Sequence, residues 1–336
     1  MHQRKHFSYF VAGVFLLMGS FTNLYAADTS PFYTGNASPL ISIYGLPFLG
    51  ESAVETKQGG SLRLTLDLAN NYLSENNSRE RLLLDGESCR LTFSGRYGIG
   101  RKMDLGFDIP FLVAGGGFLD NLIENYHSTF GFPNGGREYA PQNRLLYRYQ
   151  KNGVTVLNME KSGQGFGDMV INGGRQIYQS QQGDRKMTFR ASLKFPTGDS
   201  DTLRGSGSTD LALWMTGSLS HPSSWGRLTV YGGAGALGMT KGKVLQDQQR
   251  PLVGFGSLGL GFCPAEWIEL KVQTNAHTSF YTDSDFTAIS GASAQLTVGG
   301  ALHFTPKTSL DIGVTEDIIV GASPDVVLHL SLKRTF

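Results

Sequence analysis

Apolar residues recur at every second position along most of this chain, and that alternation restricts its fold more than any other feature. Leu62, Leu64, Leu66 and Leu68 alternate with Arg63, Thr65 and Asp67. Met103, Leu105, Phe107, Ile109 and Phe111 alternate with Asp104, Gly106 and Asp108, and Met187, Phe189 and Leu193 with Thr188, Arg190, Ser192 and Lys194. The last residues, Val326 to Phe336, repeat the pattern with Leu328, Leu330 and Leu332 on one face and His329, Ser331 and Lys333 on the other. A period of two is that of a strand with one apolar and one polar face. Strands of this kind, counted to the C-terminus, number about twelve, each near the 9–11 residues that a tilted strand needs to cross a bilayer.

The polar faces are charged with both signs: Arg63, Asp67, Arg90, Arg96, Asp104, Asp108, Arg190, Lys194, Glu269, Lys271, Asp311 and Lys333. Facing lipid at the midplane, each Arg or Lys would cost about 2–4 kcal/mol. Facing an enclosed interior they can pair or be hydrated, so these twelve are the expected lumen-facing residues. In hydrocarbon every backbone amide needs an internal partner, which leaves helices and closed barrels as spanning structures. The expected fold is therefore all-β, a transmembrane antiparallel up-and-down barrel of about twelve strands. The rival is a soluble sandwich or lipocalin-like barrel with its leucines inside. One soluble core hardly absorbs so many apolar faces while keeping the charges on its surface.

The first residues read as an export signal: Arg4 and Lys5, an apolar run from Phe10 to Met18, then Leu24-Tyr25-Ala26. The run is too short for a spanning helix, so residues 1–26 are expected to be a signal peptide cleaved near Ala26 or Ala27. Lys and Arg number 29 against 28 Asp and Glu. Losing Arg4 and Lys5 with the leader turns the net charge from +1 to −1, which offers nothing to nucleic acid. Cys89 and Cys263 fall near opposite faces of the expected barrel and in no metal spacing, so no disulfide is expected between them.

Residues 27–59 lack periodicity and are broken by Pro31, Pro39, Gly45, Pro47 and Gly50. They are expected to be an extended periplasmic segment or a small plug in the barrel mouth. The barrel proper is expected over 60–336. Its longest interruption, 115–162, is expected outside as a long loop that includes a hairpin turning at Asn152-Gly153. Short connections then alternate with longer polar ones, as periplasmic turns alternate with outer loops.

Chemical motifs are sparse. Gly163, Gly165 and Gly167 precede a strand rather than a helix, so a dinucleotide loop is not expected, nor is any other cofactor. His127, next to Ser128 and near Asp120 and Glu124, is the one candidate base for a hydrolytic site, but adjacency supplies neither nucleophile geometry nor an orienting group. Asp199 with Asp201, and Asp283 with Asp285, form D-S-D triplets in expected outer loops. Paired carboxylates suit calcium, whereas Asp and Ser also close turns on their own.

Several segments together resemble an uncharacterised Gram-negative family, domain of unknown function 3187. They are NASPLISIYGLP (36–47), LRLTLDLANNYLSE (62–75), ERLLLDGESCRLTFSGRYGIG (80–100), GGGFLDNLIENYHSTFGFPNGGREYAP (115–141), SGQGFGDMVINGG (162–174) and SLKFPTGDSD (192–201). The resemblance implies an outer-membrane barrel; it brings no activity and no site residues. Outer-membrane lipid and lipopolysaccharide are the expected surroundings of such a barrel. A terminal Phe336 on the last strand is what the barrel-assembly machinery is expected to engage. A barrel of this size lies between filled eight-stranded barrels and open porins of about sixteen strands. The expected function is a narrow or gated channel for small solutes, with 115–162 as its constriction. An outer-membrane enzyme acting on lipid or peptide and a closed structural barrel remain the alternatives.

Overall fold

In the computed structural model residues 29–117, 141, 143–319 and 321–336 are described. Among them are fifteen strands: β1 (Gly60–Asn76), β2 (Glu80–Gly98), β3 (Met103–Gly115), β4 (Leu146–Lys151), β5 (Val154–Met159), β6 (Gly163–Phe166), β7 (Val170–Gln179) and β8 (Arg185–Lys194). They continue as β9 (Asp210–Ser223), β10 (Gly226–Met239), β11 (Leu252–Ala265), β12 (Ile268–His277), β13 (Ser293–Thr305), β14 (Thr308–Asp317) and β15 (Val326–Thr335). A helical turn, Thr287–Ser290, interrupts the loop between β12 and β13.

Twelve of these strands close an all-antiparallel barrel in the order β1, β2, β3, β7 to β15, as the alternation predicts. The closing pair is β1 with β15, from Ser61 opposite Thr335 to Asn70 opposite Val326. The other three strands lie on the outer side. β4 pairs with the first residues of β2, Glu80 to Asp85, and β5 pairs with β4. The short β6 covers Phe111 to Ala114 of β3, above the stretch that β7 takes. The β4–β5 turn has φ of 50° at Asn152 and 78° at Gly153, the paired positive values of a type I′ turn.

Burial follows the alternation. Leu62, Leu64, Leu211, Leu213, Leu258, Leu260, Leu330 and Leu332 are exposed, while their neighbours Arg63, Asp210, Ala212 and Ser331 are buried. Leucines left outside and ions taken inside invert the arrangement of a soluble protein and suit a lipid surround. At the periplasmic ends of the strands Tyr97, Tyr178, Trp225, Trp267, Phe304 and Phe336 are exposed, an aromatic girdle of the kind that sits at a membrane interface. Arg175, on the outer face of β7, lies at this rim opposite Met103, where its guanidinium can reach headgroups. Cys89 stands on β2 opposite Leu68 and Val113, and Cys263 is buried near the periplasmic end of β11; both are free thiols.

Residues 29–59 fill the interior. The segment starts beside Cys263 and Gly261 at the periplasmic end, where Thr29 packs. It rises past β12, with the Phe32 amide donating to Gln273 Oε1 at 2.9 Å. It then reaches the outer rim at Asn36, whose amide contacts His277, Ser293 and the Ala322 carbonyl. It turns over residues 38–44 and descends along β9 and β8 to Gly98, where Gln58 donates to the Gly98 carbonyl. Two extended limbs of about ten residues can each reach about 33 Å, more than the apolar band of about 25 Å, so the segment crosses the whole lumen instead of sitting in one mouth.

Candidate functional site: the occupied lumen

The interior is polar, and each limb is held by a different part of the wall. On the rising limb Tyr33 donates its hydroxyl to Asp108 Oδ1 at 2.6 Å. Thr34 donates to Asp67 Oδ1 at 3.2 Å. Asp67 is itself held by His329 Nδ1 at 2.7 Å, across the β1–β15 seam. Lys271 donates to the Ser30 carbonyl at 3.0 Å and pairs with Asp311 at 3.2 Å.

At the apex and on the descending limb the wall binds the backbone directly. Arg90 Nη1 donates to the Ser42 carbonyl at 2.9 Å, and the Gly45 amide donates to Asp210 Oδ2 at 2.7 Å. Lys194 pairs with Asp168 and with Asp210 at 3.2 Å, and also reaches the Ile43 carbonyl at 3.3 Å. Trp214 donates its indole N–H to the Leu49 carbonyl at 2.8 Å. Thr188 donates to the Ser52 carbonyl at 2.6 Å, and Gln176 both accepts from the Val54 amide and donates to that carbonyl.

Glu51 is engaged from both sides of the lumen. Its carboxylate pairs with Lys333 on β15 and with Arg63 on β1, the latter at 3.3 Å. Its backbone carbonyl accepts from Arg190 Nε at 2.8 Å and Nη2 at 2.6 Å, on β8. The same Nη2 also donates to the Ala53 carbonyl at 2.8 Å, while Arg190 Nη1 faces Asp104 at 3.4 Å. Gly174 opposite keeps that last pair possible, because a Cβ there would lie 2.7 Å from Arg190 Nη1 and 2.8 Å from Asp104 Oδ1. Gly233 on β10 similarly leaves room for Leu49 of the inner segment.

Of the twelve expected lumen residues, Arg63, Asp67, Asp104, Asp108, Arg190, Lys194, Glu269, Lys271 and Asp311 are buried within the barrel. Arg90, Arg96 and Lys333 are partly buried. They form separate groups: Arg63, Asp311 and Lys271 together, with Lys333 joined to Arg63 through Glu51; Arg190 with Asp104; Lys194 apart, with Asp168 and Asp210. Glu269 stands at the periplasmic end, 3.7 Å from His303. His127 lies outside the described residues.

Sequence reasoning missed Glu51, Asp168 and Asp210 as part of this network. One signal was available: among the residues assigned to the lumen the cations outnumber the carboxylates, so acceptors had to come from elsewhere. Glu51, Asp168, Asp210 and backbone carbonyls of the inner segment, from Ser30 and from Ser42 to Ala53, are those acceptors.

The D-S-D triplets already have protein partners. Asp199 accepts from the Asp201 amide at 3.1 Å, the Thr202 hydroxyl at 2.6 Å and Arg204 at 3.1 Å, and these bonds hold its carboxyl below the usual range, the Thr202 one foremost. Asp283 pairs with Lys151 at 2.5 Å, whose hydrogen bond and charge lower its pKa. Asp285 accepts from Arg79 at 3.1 Å and from Asn77 at 3.2 Å. Among the described residues no group of three or more His, Cys, Asp or Glu could hold a metal ion.

The outer end is closed by apolar packing rather than ions. Leu40, Ile41, Ile43 and Tyr44 of the apex are buried against Leu203, Leu245, Phe280, Tyr281 and Ile289 of the outer loops and against Tyr147 of β4. Tyr44 stacks on Phe280 with centroids 5.0 Å apart, and Tyr281 donates to the Leu40 carbonyl at 2.9 Å. Flanking the inner segment are cavities of about 50 and 60 Å³, the second lined in part by Tyr33, Arg90, Arg96, Asp108 and Trp214. Each has room for a few waters.

The fold is similar to that in the crystal structure of an outer membrane channel from Pseudomonas putida F1, with a TM-score of 0.51 and 12% identity over 84% of this chain and 97% of that one. The NanC porin (9% identity) and the KdgM porin (5%) are each similar at a TM-score of 0.42, over 82% of this chain and 98% and 99% of theirs. No curated protein matches the sequence significantly. A family model, by contrast, follows the chain from residue 14 through every barrel strand to Phe336, and the protein therefore belongs to the family described as protein of unknown function (DUF3187).

Proposed function

We propose that the protein is a channel for small solutes in the outer membrane, closed by its own residues 29–59 and opened when that segment leaves the lumen. The observation that carries this reading is the way the segment is held. Its limbs contact the wall through hydrogen bonds and ion pairs, from Gln273, Lys194, Trp214, Arg190 and Lys333. Water can replace such bonds, so each contributes only about 0.5–1.5 kcal/mol net, or about 1.5–3 kcal/mol where a charge takes part. A barrel built only to be solid would be expected to pack its interior with apolar side chains, whose removal leaves cavities that water does not fill. Here the emptied lumen would be lined by Arg63, Asp67, Asp104, Asp108, Arg190, Lys194 and Lys271 and would hydrate. The apolar belt and aromatic girdle support the outer-membrane location.

The test is conductance across planar bilayers. The intact protein is expected to give rare, small events, and a variant lacking residues 29–58 is expected to give sustained current. The variant's folding is checked by its faster migration in detergent gels when boiling is omitted, the mark of a compact barrel that resists the detergent. A folded variant that conducts no better than the intact protein would overturn the proposal.

A further inference from the structure

Glu51 bridges the lumen, from Arg63 and Lys333 on β1 and β15 to Arg190 on β8. From Cδ to the backbone carbonyl carbon it has the carbon skeleton of glutarate. One end presents a carboxylate to a Lys and an Arg; the other presents an oxygen to two N–H groups of one guanidinium. A guanidinium with two parallel donors is the group best matched to a carboxylate, yet here it is met by uncharged carbonyls of Glu51 and Ala53. Arg190 is almost fully buried. Its fixed geometry comes from β8, and the Nη1 contact to Asp104 leaves its other two donor nitrogens directed at the plug. Gly50, at φ +73°, brings the chain between Arg96 and Arg190 so that Glu51 can make the bridge.

We infer that Arg63, Lys333 and Arg190 form a binding site for a short dicarboxylate in the open channel, and that Glu51 occupies this site as an internal ligand in the closed one. This rests on the channel reading above and adds the substrate class. One solute carboxylate takes the place of the Glu51 side chain between Arg63 and Lys333. The other takes the place of the two carbonyls on Arg190 and exchanges neutral acceptors for a charged one. Solute and plug compete for the same donors, so the solute favours the open state by its greater affinity for it. Glu51 and Lys333 side chains keep 28% and 15% exposure, and Glu51 with Arg63 lines a small cavity, so the carboxylate end of the site is not tightly packed.

Trp214 reports the exchange, because its indole N–H binds the Leu49 carbonyl two residues from Glu51. In full-length protein carrying Trp225→Phe and Trp267→Phe, titration with glutarate is expected to change Trp214 emission saturably. Acetate is expected to need at least about tenfold higher concentration, since it satisfies one end only. Lys333→Ala, at a partly exposed position, is expected to weaken the glutarate response by about tenfold or more, and Arg190→Gln to erase the preference for glutarate over acetate. Glutarate is also expected to raise the open probability of the intact protein in bilayers. An equal response to acetate and glutarate, or a glutarate response unchanged in Lys333→Ala, would overturn the site while leaving the conductance of the plug-deleted variant as separate evidence for a channel. Saturable, Lys333-dependent glutarate binding in a protein whose plug-deleted form never conducts would sink the channel and keep the site.

Discussion

Gly50 has a backbone φ of +73°, and a Cβ there would lie 3.2 Å from Arg96 Nη2 and 3.3 Å from Arg190 Nε. Both facts oppose any side chain, since an L-residue in that region costs about 1–3 kcal/mol before crowding is counted. Gly50→Ala is therefore expected to loosen the descending limb and leave the barrel intact. The measurements are increased hydrogen exchange at residues 49–55 and more frequent openings in bilayers, with unchanged barrel unfolding. At the outer surface Glu80 plays a comparable part for the loops. Burial alone would raise its pKa, but the Asp285 amide at 2.8 Å and the hydroxyls of Tyr149 and Ser284 more than offset this and hold it below the usual carboxylate range. A depressed pKa means that this stabilisation is present above the ordinary value and is lost as pH falls through the lowered one. Acidification through the lowered values of Glu80 and Asp283 is expected to release residues 283–285 to proteolysis, and Glu80→Gln is expected to raise cleavage there already at neutral pH, leaving the part of the acid response that Asp283 carries.

Strands differ in what they ask of their residues. In the β4–β5 hairpin nothing lies within 4 Å of a Cβ built on Gly153, so its φ of 78° is a purely conformational demand. Gly153→Ala is expected to cost the hairpin about 1 kcal/mol, seen as faster amide exchange in β4 and β5 with the barrel strands unaffected. In β11 the demand comes from lipid. Leu258 is 61% exposed at mid-strand on the outer face. Leu258→Arg is expected to lower barrel stability by about 2–4 kcal/mol in denaturant titrations of protein folded in bilayers, whereas Ser257→Arg on the opposite face is expected to affect conductance first.

For the whole molecule the decisive relation is between a barrel of twelve strands and a chain segment long enough to cross it twice. Such a barrel has more interior than its own side chains fill, and residues 29–59 take up that space. Deleting them is expected to leave a folded, hydrated barrel, and adding the corresponding peptide in excess is expected to block its current. A block of the deleted form that persists when the peptide carries Glu51→Gln would show that the latch is not what seats the segment.

The barrel was legible in Leu62–Leu68, Met103–Phe111 and Val326–Phe336, because alternation is a local property and hydrocarbon allows its apolar face one direction only. The charged rows were legible on the same ground. The outcome for Glu51 was not, since it acts through Lys333, far away in sequence; Asp168 and Asp210 needed the register of β8 and β9 and the path of the loop before Val170 to bring them to Lys194. Nothing in the order PFLGES announces that one carboxylate meets β1 and β15 while its own carbonyl meets β8. Sequence alone determined that this chain closes into a membrane barrel with an ionised interior, because period-two patterning and the cost of charge in lipid act residue by residue. Only the tertiary structure decided that the interior is occupied, and by what, because that depends on how donors from distant strands converge on one otherwise featureless stretch.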